Sequence, residues 1–467
     1  MKQYRKSELG HLKCLQIKAQ LTFQDARNKQ DIENNKLVRG RPIPPLTFSA
    51  YAENDLFLRV PRFFEFSPTV FGIAEPAFTF QPTLSSGSPV SFSFDDGVPS
   101  QLRSVQEEAL IILLERLNRA TPAAPQGATL CLPCGFGKTR TAIFAIQRLG
   151  VKTLVLASHS HLLVQFSKEA QRLSPNIVVA KLPKKPEIPL DPDAHIIFGT
   201  LQSVYCRAYP SRYWESVGLV VIDEAHHLAA PTFCQAICKL PACRILALTA
   251  TPERKDGREN LIYLLAGDTA FRVYRPKDAR VTIKFLRYSL DVGVGAELKA
   301  FSSMYQTVGE RMVLLGKLSL VEERNAVLVN KLKKLVLDRA GILVLCKLIN
   351  HLHLLAELCG FPPEQFGFFT GQENQQAREE SAKKLVIFAT FDMAKEGLDI
   401  PRLDTLVLGS PAENTIQCMG RILRELPGKK NPIVVDVFDD CVAFRGEIWS
   451  RVRQYGETGA RIVGIVE

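Results

Sequence analysis

Seven consecutive residues, Pro133-Cys134-Gly135-Phe136-Gly137-Lys138-Thr139, combine the residue types needed to hold a polyphosphate. Gly135 and Gly137 let the backbone turn tightly, so that successive N–H groups converge on phosphate oxygens where a helix begins. Lys138 adds a point charge for the β- and γ-phosphates, and the Thr139 hydroxyl suits Mg²⁺. Leu132 stands where the general G-x-x-x-x-G-K-[ST] pattern has its first glycine, and Gly-Phe-Gly-Lys-Thr alone would also serve an ordinary strand-to-helix turn. A second signature decides between the two: the apolar run Gly218-Leu219-Val220-Val221-Ile222 leads into Asp223-Glu224-Ala225-His226. Adjacent carboxylates at the end of an apolar strand are costly unless they serve a cation or a proton transfer. Loop and acidic box in this order imply a nucleotide-hydrolysing machine that uses Mg²⁺.

The elements that must position these groups follow from periodicity. Ala128 to Leu132 reads as a buried strand ahead of the loop, and Thr139 to Leu149 as a helix ended by Gly150. Leu154 to Leu156, His195 to Phe198, Leu219 to Ile222 and Ile245 to Leu248 continue a series of apolar strands alternating with helices. A second series comprises Ile342 to Leu345, Leu385 to Phe388, Leu406 to Leu408 and Ile433 to Val435. Such runs predict an α/β chain with two doubly wound parallel sheets, each covered on both faces. The expected domains are 1–97, a small accessory domain of mixed or β-rich structure; 98–275, which holds the loop and acidic box; and 276–467. Residues 276–295 are expected to join the sheet domains. Residues 296–338 are expected to be helical, packing Leu320, Val327, Leu328, Leu332 and Leu335 against the second. Alternation in Val90-Ser91-Phe92-Ser93-Phe94 predicts a half-buried strand.

Composition narrows the partners. The chain has 467 residues, 46% of them hydrophobic, and Lys+Arg exceed Asp+Glu by 59 − 48 = 11. A pI near 9.1 favours a polyanionic partner, most simply nucleic acid. No apolar stretch approaches the roughly 20 residues that cross a bilayer, and Met1-Lys2-Gln3-Tyr4-Arg5-Lys6 opens no secretory signal, so a soluble intracellular protein without a membrane partner is expected. The 11 cysteines are scattered, and Cys131-x-x-Cys134 straddles a strand end and the phosphate loop, which points away from a redox or zinc pair. His159-x-His161 and His351-x-His353 lack a third ligand nearby, so no transition-metal site is assigned to them.

Beyond the first two signatures, the order of short motifs from about 100 to 440 resembles a superfamily 2 helicase. The motifs are Leu102-Arg103-Ser104-Val105-Gln106 ahead of the loop, Leu163-x-Gln165-Phe166, Gly199-Thr200-Leu201-Gln202-Ser203 and Leu248-Thr249-Ala250-Thr251-Pro252. In the second half they are Ala389-Thr390, Glu396-Gly397-Leu398-Asp399-Ile400-Pro401 and Gln417-Cys418-Met419-Gly420-Arg421-Ile422-Leu423-Arg424. Thr251-Pro252-Glu253-Arg254-Lys255-Asp256-Gly257 is similar to the XPB/UvsW-like branch, and Arg59-Val60-Pro61-Arg62-Phe63-Phe64 to the transcript-release helicases of poxviruses and other large DNA viruses.

The resemblance implies two tandem RecA-like domains and a set of roles. Arg103, Gln106, Gly135, Gly137, Lys138, Thr139, Arg140, Gly397 and Asp399 would bind nucleotide, with Thr139 and Asp223 on Mg²⁺. Lys138, Asp223, Glu224, Gln417, Arg421 and Arg424 would be catalytic, Glu224 acting on the attacking water and the two arginines approaching from a helix of the second domain. Gln165, Thr200, Gln202, Thr249, Thr251, Lys347 and Thr390 would contact a nucleic-acid strand through its phosphates. The implied activity is movement 3′ to 5′ on nucleic acid driven by ATP with Mg²⁺, DNA before RNA, in transcription, repair or recombination, with RNA polymerase or other transcription machinery as a partner of a chain monomeric in isolation. A viral member would work in the host cytoplasm or nucleus and could be packaged in the virion. The alternatives are a non-catalytic helicase-fold subunit of a transcription assembly and a DEAH-type RNA helicase.

Overall fold

The computed structural model describes residues 1–24, 37–38, 41–42, 47–80, 83–95, 102–133, 135–250, 257–289, 308–396, 398, 400–412, 415–440 and 442–466. Contacts divide the chain into two compact units, Met1–Tyr274 and Arg275–Glu467. In the first unit, β1 (Lys2–Arg5), β2 (Ala52–Glu53), β3 (Phe57–Val60) and β4 (Phe78–Phe80) form an antiparallel sheet in the order β2-β3-β1-β4. The larger sheet is parallel and contains β5 (Gln126–Cys131), β6 (Thr153–Ala157), β7 (Val179–Lys181), β8 (Ile196–Thr200), β9 (Leu219–Ile222), β10 (Arg244–Thr249) and β11 (Thr269–Arg272). Its order is β7-β8-β6-β9-β10-β5-β11.

The continuous apolar runs form strands because both faces of the sheet are covered. Leu154, Leu156, Val220 and Ile222 feed one core, while Val155, Ala157, Leu219 and Val221 feed another with α1 (Ser104–Leu117), α2 (Lys138–Leu149) and α3 (Ser160–Leu173). Helix α2 stops where the sequence predicts, at Gly150, which takes a left-handed φ of 61°.

The N-terminal residues belong to this same compact unit. Arg62, fully buried, donates to the carbonyls of Leu240 and Ala242 just before β10. A Cβ on Gly127 would lie 2.3 Å from the Ala266 carbonyl oxygen and 2.6 Å from the Phe63 ring, so only glycine permits that approach. The expected strand at Val90–Phe94 is absent: the segment runs as a strap in which Phe94 stacks on Phe144 of α2 at 4.3 Å. Its alternation records burial of Phe92 against a helix layer rather than pairing in a sheet.

The second unit repeats the plan. Strands β12 (Thr282–Ser289), β13 (Ile342–Cys346), β14 (Phe366–Phe369), β15 (Val386–Thr390), β16 (Thr405–Leu408), β17 (Ile433–Asp440) and β18 (Arg461–Val466) form a parallel sheet in the order β14-β15-β13-β16-β17-β12-β18. Two tandem RecA-like α/β domains with a small N-terminal part are therefore present. The expected joint at 276–295 is corrected by β12, which lies between β17 and β18. Within the helical segment, α5 (Val308–Ser319) buries Leu314, Leu315 and Leu318, and α6 (Glu322–Val336) buries Leu328, Leu332 and Leu335. Leu320 is 70% exposed and Val327 37%, because Leu320 sits in the turn between the helices and Val327 on the outer side of α6.

Among the described residues of this unit, the most deeply buried arginines, Arg324 and Arg451, each pair with a carboxylate. Arg324 of α6 donates to both Asp439 carboxylate oxygens, at 2.6 and 2.9 Å, and to the Gly409 carbonyl at 2.8 Å. Removing one member of such a pair strands the other in the interior, so Arg324→Met is expected to destabilise the second unit by about 3–5 kcal/mol. Chemical denaturation followed by circular dichroism checks it, with loss below about 1 kcal/mol counting against the pair's importance.

Candidate nucleotide site and nucleic-acid contacts

The carboxyl ends of the strands in the first unit share one edge. Ala157 pairs with Thr200, Leu156 with Ile222, Ile222 with Ala247, and Thr249 with Cys131, so that the residues following these strands emerge together. Open parallel sheets take ligands outside this edge. After β5 the chain turns through Gly135 (φ 84°) and Gly137 (φ 83°) into α2, a conformation strained for any residue with a side chain.

Two residues ahead of the loop clamp it. Gln106 Nε2 donates to the Phe136 carbonyl at 3.0 Å, while its Oε1 accepts from the Arg103 backbone at 2.8 Å. Arg103 Nη2 donates to the Gly135 carbonyl at 3.0 Å, and its guanidinium lies 5.8 Å from the Phe136 ring centre. A Cβ on Gly137 would stand 2.0 Å from Gln106 Nε2, so the glycine is needed for this clamp as well as for the turn. Lys138 is buried, with Nζ donating to the Leu132 carbonyl at 3.1 Å, and Thr139 is half-buried in the first turn of α2. Arg140 lies 4.0 Å from Glu169 and 5.9 Å from the Phe144 ring centre, among groups of α2 and α3.

The acidic box continues β9 by one bond, Asp223 N donating to the Leu156 carbonyl at 2.8 Å. Asp223 is buried, and its Oδ1 accepts from Glu224 N at 3.1 Å. Glu224 has φ 49° and ψ 54°, and among the described residues it is the non-glycine with positive φ. Strain of this kind costs on the order of 1–3 kcal/mol and concentrates at functional positions. His226 Nδ1 stands 3.4 Å from the Glu224 carboxylate. His227 stacks on His226 at 4.2 Å and meets His159, the residue capping α3, at 6.5 Å. The histidine contacts escaped sequence reasoning, because only the fold brings residue 159 to 227.

The candidate strand contacts of this unit divide. Gln165 on α3 and Gln202 on α4 (Leu201–Cys206) are exposed, Gln202 donating to Cys206 Sγ at 3.0 Å. Thr200 caps α4, its hydroxyl accepting from Ser203 N at 3.1 Å. Thr249 is fully buried at the end of β10. Thr251, Gly397 and Asp399 lie outside the described residues.

In the second unit, Lys347 follows β13 and is exposed, 3.9 Å from Asp392; Thr390 closes β15 opposite Cys346. Gln417 is half-buried on α7 (Ile416–Met419). The helix expected to carry Arg421 and Arg424 ends at Met419, and both arginines follow it in a turn and an irregular segment. Arg421 is buried, and its Nε donates to the Ala394 carbonyl at 2.8 Å. Behind the segment stands a buried network: Arg451 of α8 (Val442–Glu457) binds Asp436 at 2.7 and 2.9 Å and the Ala412 carbonyl at 2.6 Å. Tyr455 Oη donates to Asp436 at 2.9 Å and accepts from Thr415 at 3.2 Å. The signal that could have revealed these partners is the acidic residue pattern of Ile433-Val434-Val435-Asp436-Val437-Phe438-Asp439, since a carboxylate in an apolar strand demands a cation.

The donor set suits Mg²⁺ better than a softer ion. Thr139 and Asp223 offer hard oxygens, and the described residues contain no group of three or more His, Cys, Asp or Glu able to hold a metal. An ion that keeps its waters and leans on substrate phosphates needs few protein ligands. No helix among the described residues is long and apolar enough to cross a membrane.

Comparison with known proteins agrees with this geometry. A family model described as type III restriction enzyme, res subunit, matches residues 99–254. A protein of Acanthamoeba polyphaga mimivirus, provisionally named an ATP-dependent RNA helicase, is 24% identical over 412 residues, covering 86% of this chain and 75% of its own length. A protein of African swine fever virus with the same provisional description is 26% identical over 359 residues, covering 71% and 68%. One of Frog virus 3, provisionally named a helicase, is 27% identical over 334 residues, covering 71% and 73%. The fold and these relatives support an ATP-dependent helicase. Within that class the chain is similar to the helicases of large DNA viruses, and as a helicase it uses ATP and binds nucleic acid.

Gln106→Ala should weaken ATP binding about tenfold, roughly one lost hydrogen bond to an ordered loop, while the unit stays folded. Titration with a fluorescent ATP analogue checks it, and unchanged affinity would count against a loop that depends on this clamp.

Proposed function

We propose that the chain is a nucleic-acid-stimulated ATPase that moves along DNA during transcription. The observation that carries this reading is the common edge of the first sheet, where the phosphate loop, the strained Glu224 and the exposed Gln202 beside Thr200 follow strands of one parallel sheet. In this reading Lys138 neutralises the transferred phosphoryl group, and Thr139 and Asp223 hold Mg²⁺. The bound ion would spread charge from the β- and γ-phosphate oxygens. Glu224 orients the attacking water and takes its proton, the left-handed backbone aiming its carboxylate. Arg421 and Arg424 are assigned to the same step, where a guanidinium is worth about 10³–10⁵ in rate. Gln165, Thr200, Gln202, Lys347 and Thr390 hold the strand by its phosphates, so binding is independent of sequence and falls with salt.

RNA is the second reading, favoured by the provisional RNA helicase descriptions of the mimivirus and African swine fever virus relatives. Stimulation of the ATPase by single-stranded DNA, forked DNA, RNA and RNA–DNA hybrid separates the two. Stimulation by RNA alone would replace the DNA assignment, and none by any strand would favour a non-catalytic subunit.

Lys138→Ala is expected to lower stimulated ATPase at least about 10³-fold in a folded protein, measured by phosphate release. Near-normal turnover would refute the site. Glu224→Gln should lose turnover comparably yet keep ATP affinity within about threefold, because phosphate and Mg²⁺ contacts remain. Loss of binding instead would remove Glu224 from the proton-transfer role.

A further inference from the structure

The edge that carries Thr200 continues outward into cations that nucleotide chemistry does not use. Lys181 closes β7 beside Phe198 of β8, so Pro183-Lys184-Lys185 leave the sheet on the same edge as Thr200, about 4.8 Å further along the strand order. After α4 the chain folds back onto this loop. Tyr209 Oη donates to the Pro183 carbonyl at 2.5 Å, and Arg207 Nη1 donates to Tyr209 Oη at 3.2 Å. Tyr209 packs on Tyr213 at 4.8 Å and on the buried Trp214 at 5.1 Å, which ties loop and arginine to one aromatic cluster. Lys184, Lys185 and Arg212 are exposed and form no ion pair among the described residues, and neither Glu187 nor Glu215 neutralises them.

We propose that Lys184, Lys185, Arg207 and Arg212 form a second contact for the phosphate backbone of a nucleic-acid strand, extending the path that starts at Thr200 and Gln202. It rests on the helicase reading and adds a subsite to it. Like charges gathered on an ordered scaffold without counter-ions suit a polyanion, and the Tyr209 hydroxyl positions the Arg207 fork for a phosphate oxygen.

The test is fluorescence anisotropy of Lys184→Glu/Lys185→Glu, and separately Arg207→Gln, with strands of about 6 and about 20 nucleotides in DNA and RNA forms, folding being checked by circular dichroism. On the longer strands the double variant should bind about tenfold more weakly, with the slope of log affinity against log salt reduced by about 1.4. Shorter strands, held at Thr200 and Gln202, should bind as before. Unchanged affinity for long strands, or equal loss at both lengths, overturns the subsite. A loss confined to DNA or to RNA overturns the phosphate assignment. Parent protein that binds strands without stimulated turnover fails the helicase mechanism alone, whereas parent protein that binds no strand fails both.

Discussion

Strand register in the two parallel sheets is the constraint on which the remaining chemistry depends. Phosphate loop, acidic box and Thr200 share one edge because Ala157 pairs with Thr200, Leu156 with Ile222, Ile222 with Ala247 and Thr249 with Cys131. A slip of one residue would send each side chain to the opposite face and carry Asp223 into a core. Burial on both faces prevents it, since Leu154 and Val155 serve different apolar cores and neither can be exchanged for the other.

With the register held, the edge tolerates conformations that would be unfavourable elsewhere. Glu224 keeps a left-handed backbone, Lys138 keeps a buried ammonium tethered to the Leu132 carbonyl, and the phosphate loop keeps its shape through Gln106 and Arg103. None of these arrangements stabilises the fold by itself. The surrounding core supplies the stability, and the edge receives preorganised donors and carboxylates. In the second unit the same economy operates through buried ion pairs, Arg324 with Asp439 and Arg451 with Asp436, which anchor the backbone at Gly409 and Ala412.

Several N-terminal residues are fastened at the amino end of the first sheet. Arg62 reaches carbonyls just ahead of β10, and Ser85 and Pro89 bridge to Ala242 and Val151 ahead of β10 and β6. A further contact reaches past the carboxyl end of β10, where the Arg258 guanidinium lies 5.6 Å from the Phe48 ring centre.

Much of this was legible in the residues alone. Apolar runs such as Leu219 to Ile222 could only be strands buried on both faces, and glycines before Lys138 could only mark a turn of unusual backbone, because these are local demands of sterics and hydration. Tertiary structure decided what periodicity cannot encode. Alternation at Val90–Phe94 looked like a strand and became a strap across α2; residues 276–295 looked like a joint and supplied β12; the stretch holding Arg421 and Arg424 looked helical and ended its helix at Met419. It also chose the partners of Asp436 and Asp439, and brought His159 to His227 and Arg207 to the Lys184 loop. Local sequence sets which groups must be buried, turned or paired, but a partner distant in the chain is selected only when packing brings the two together.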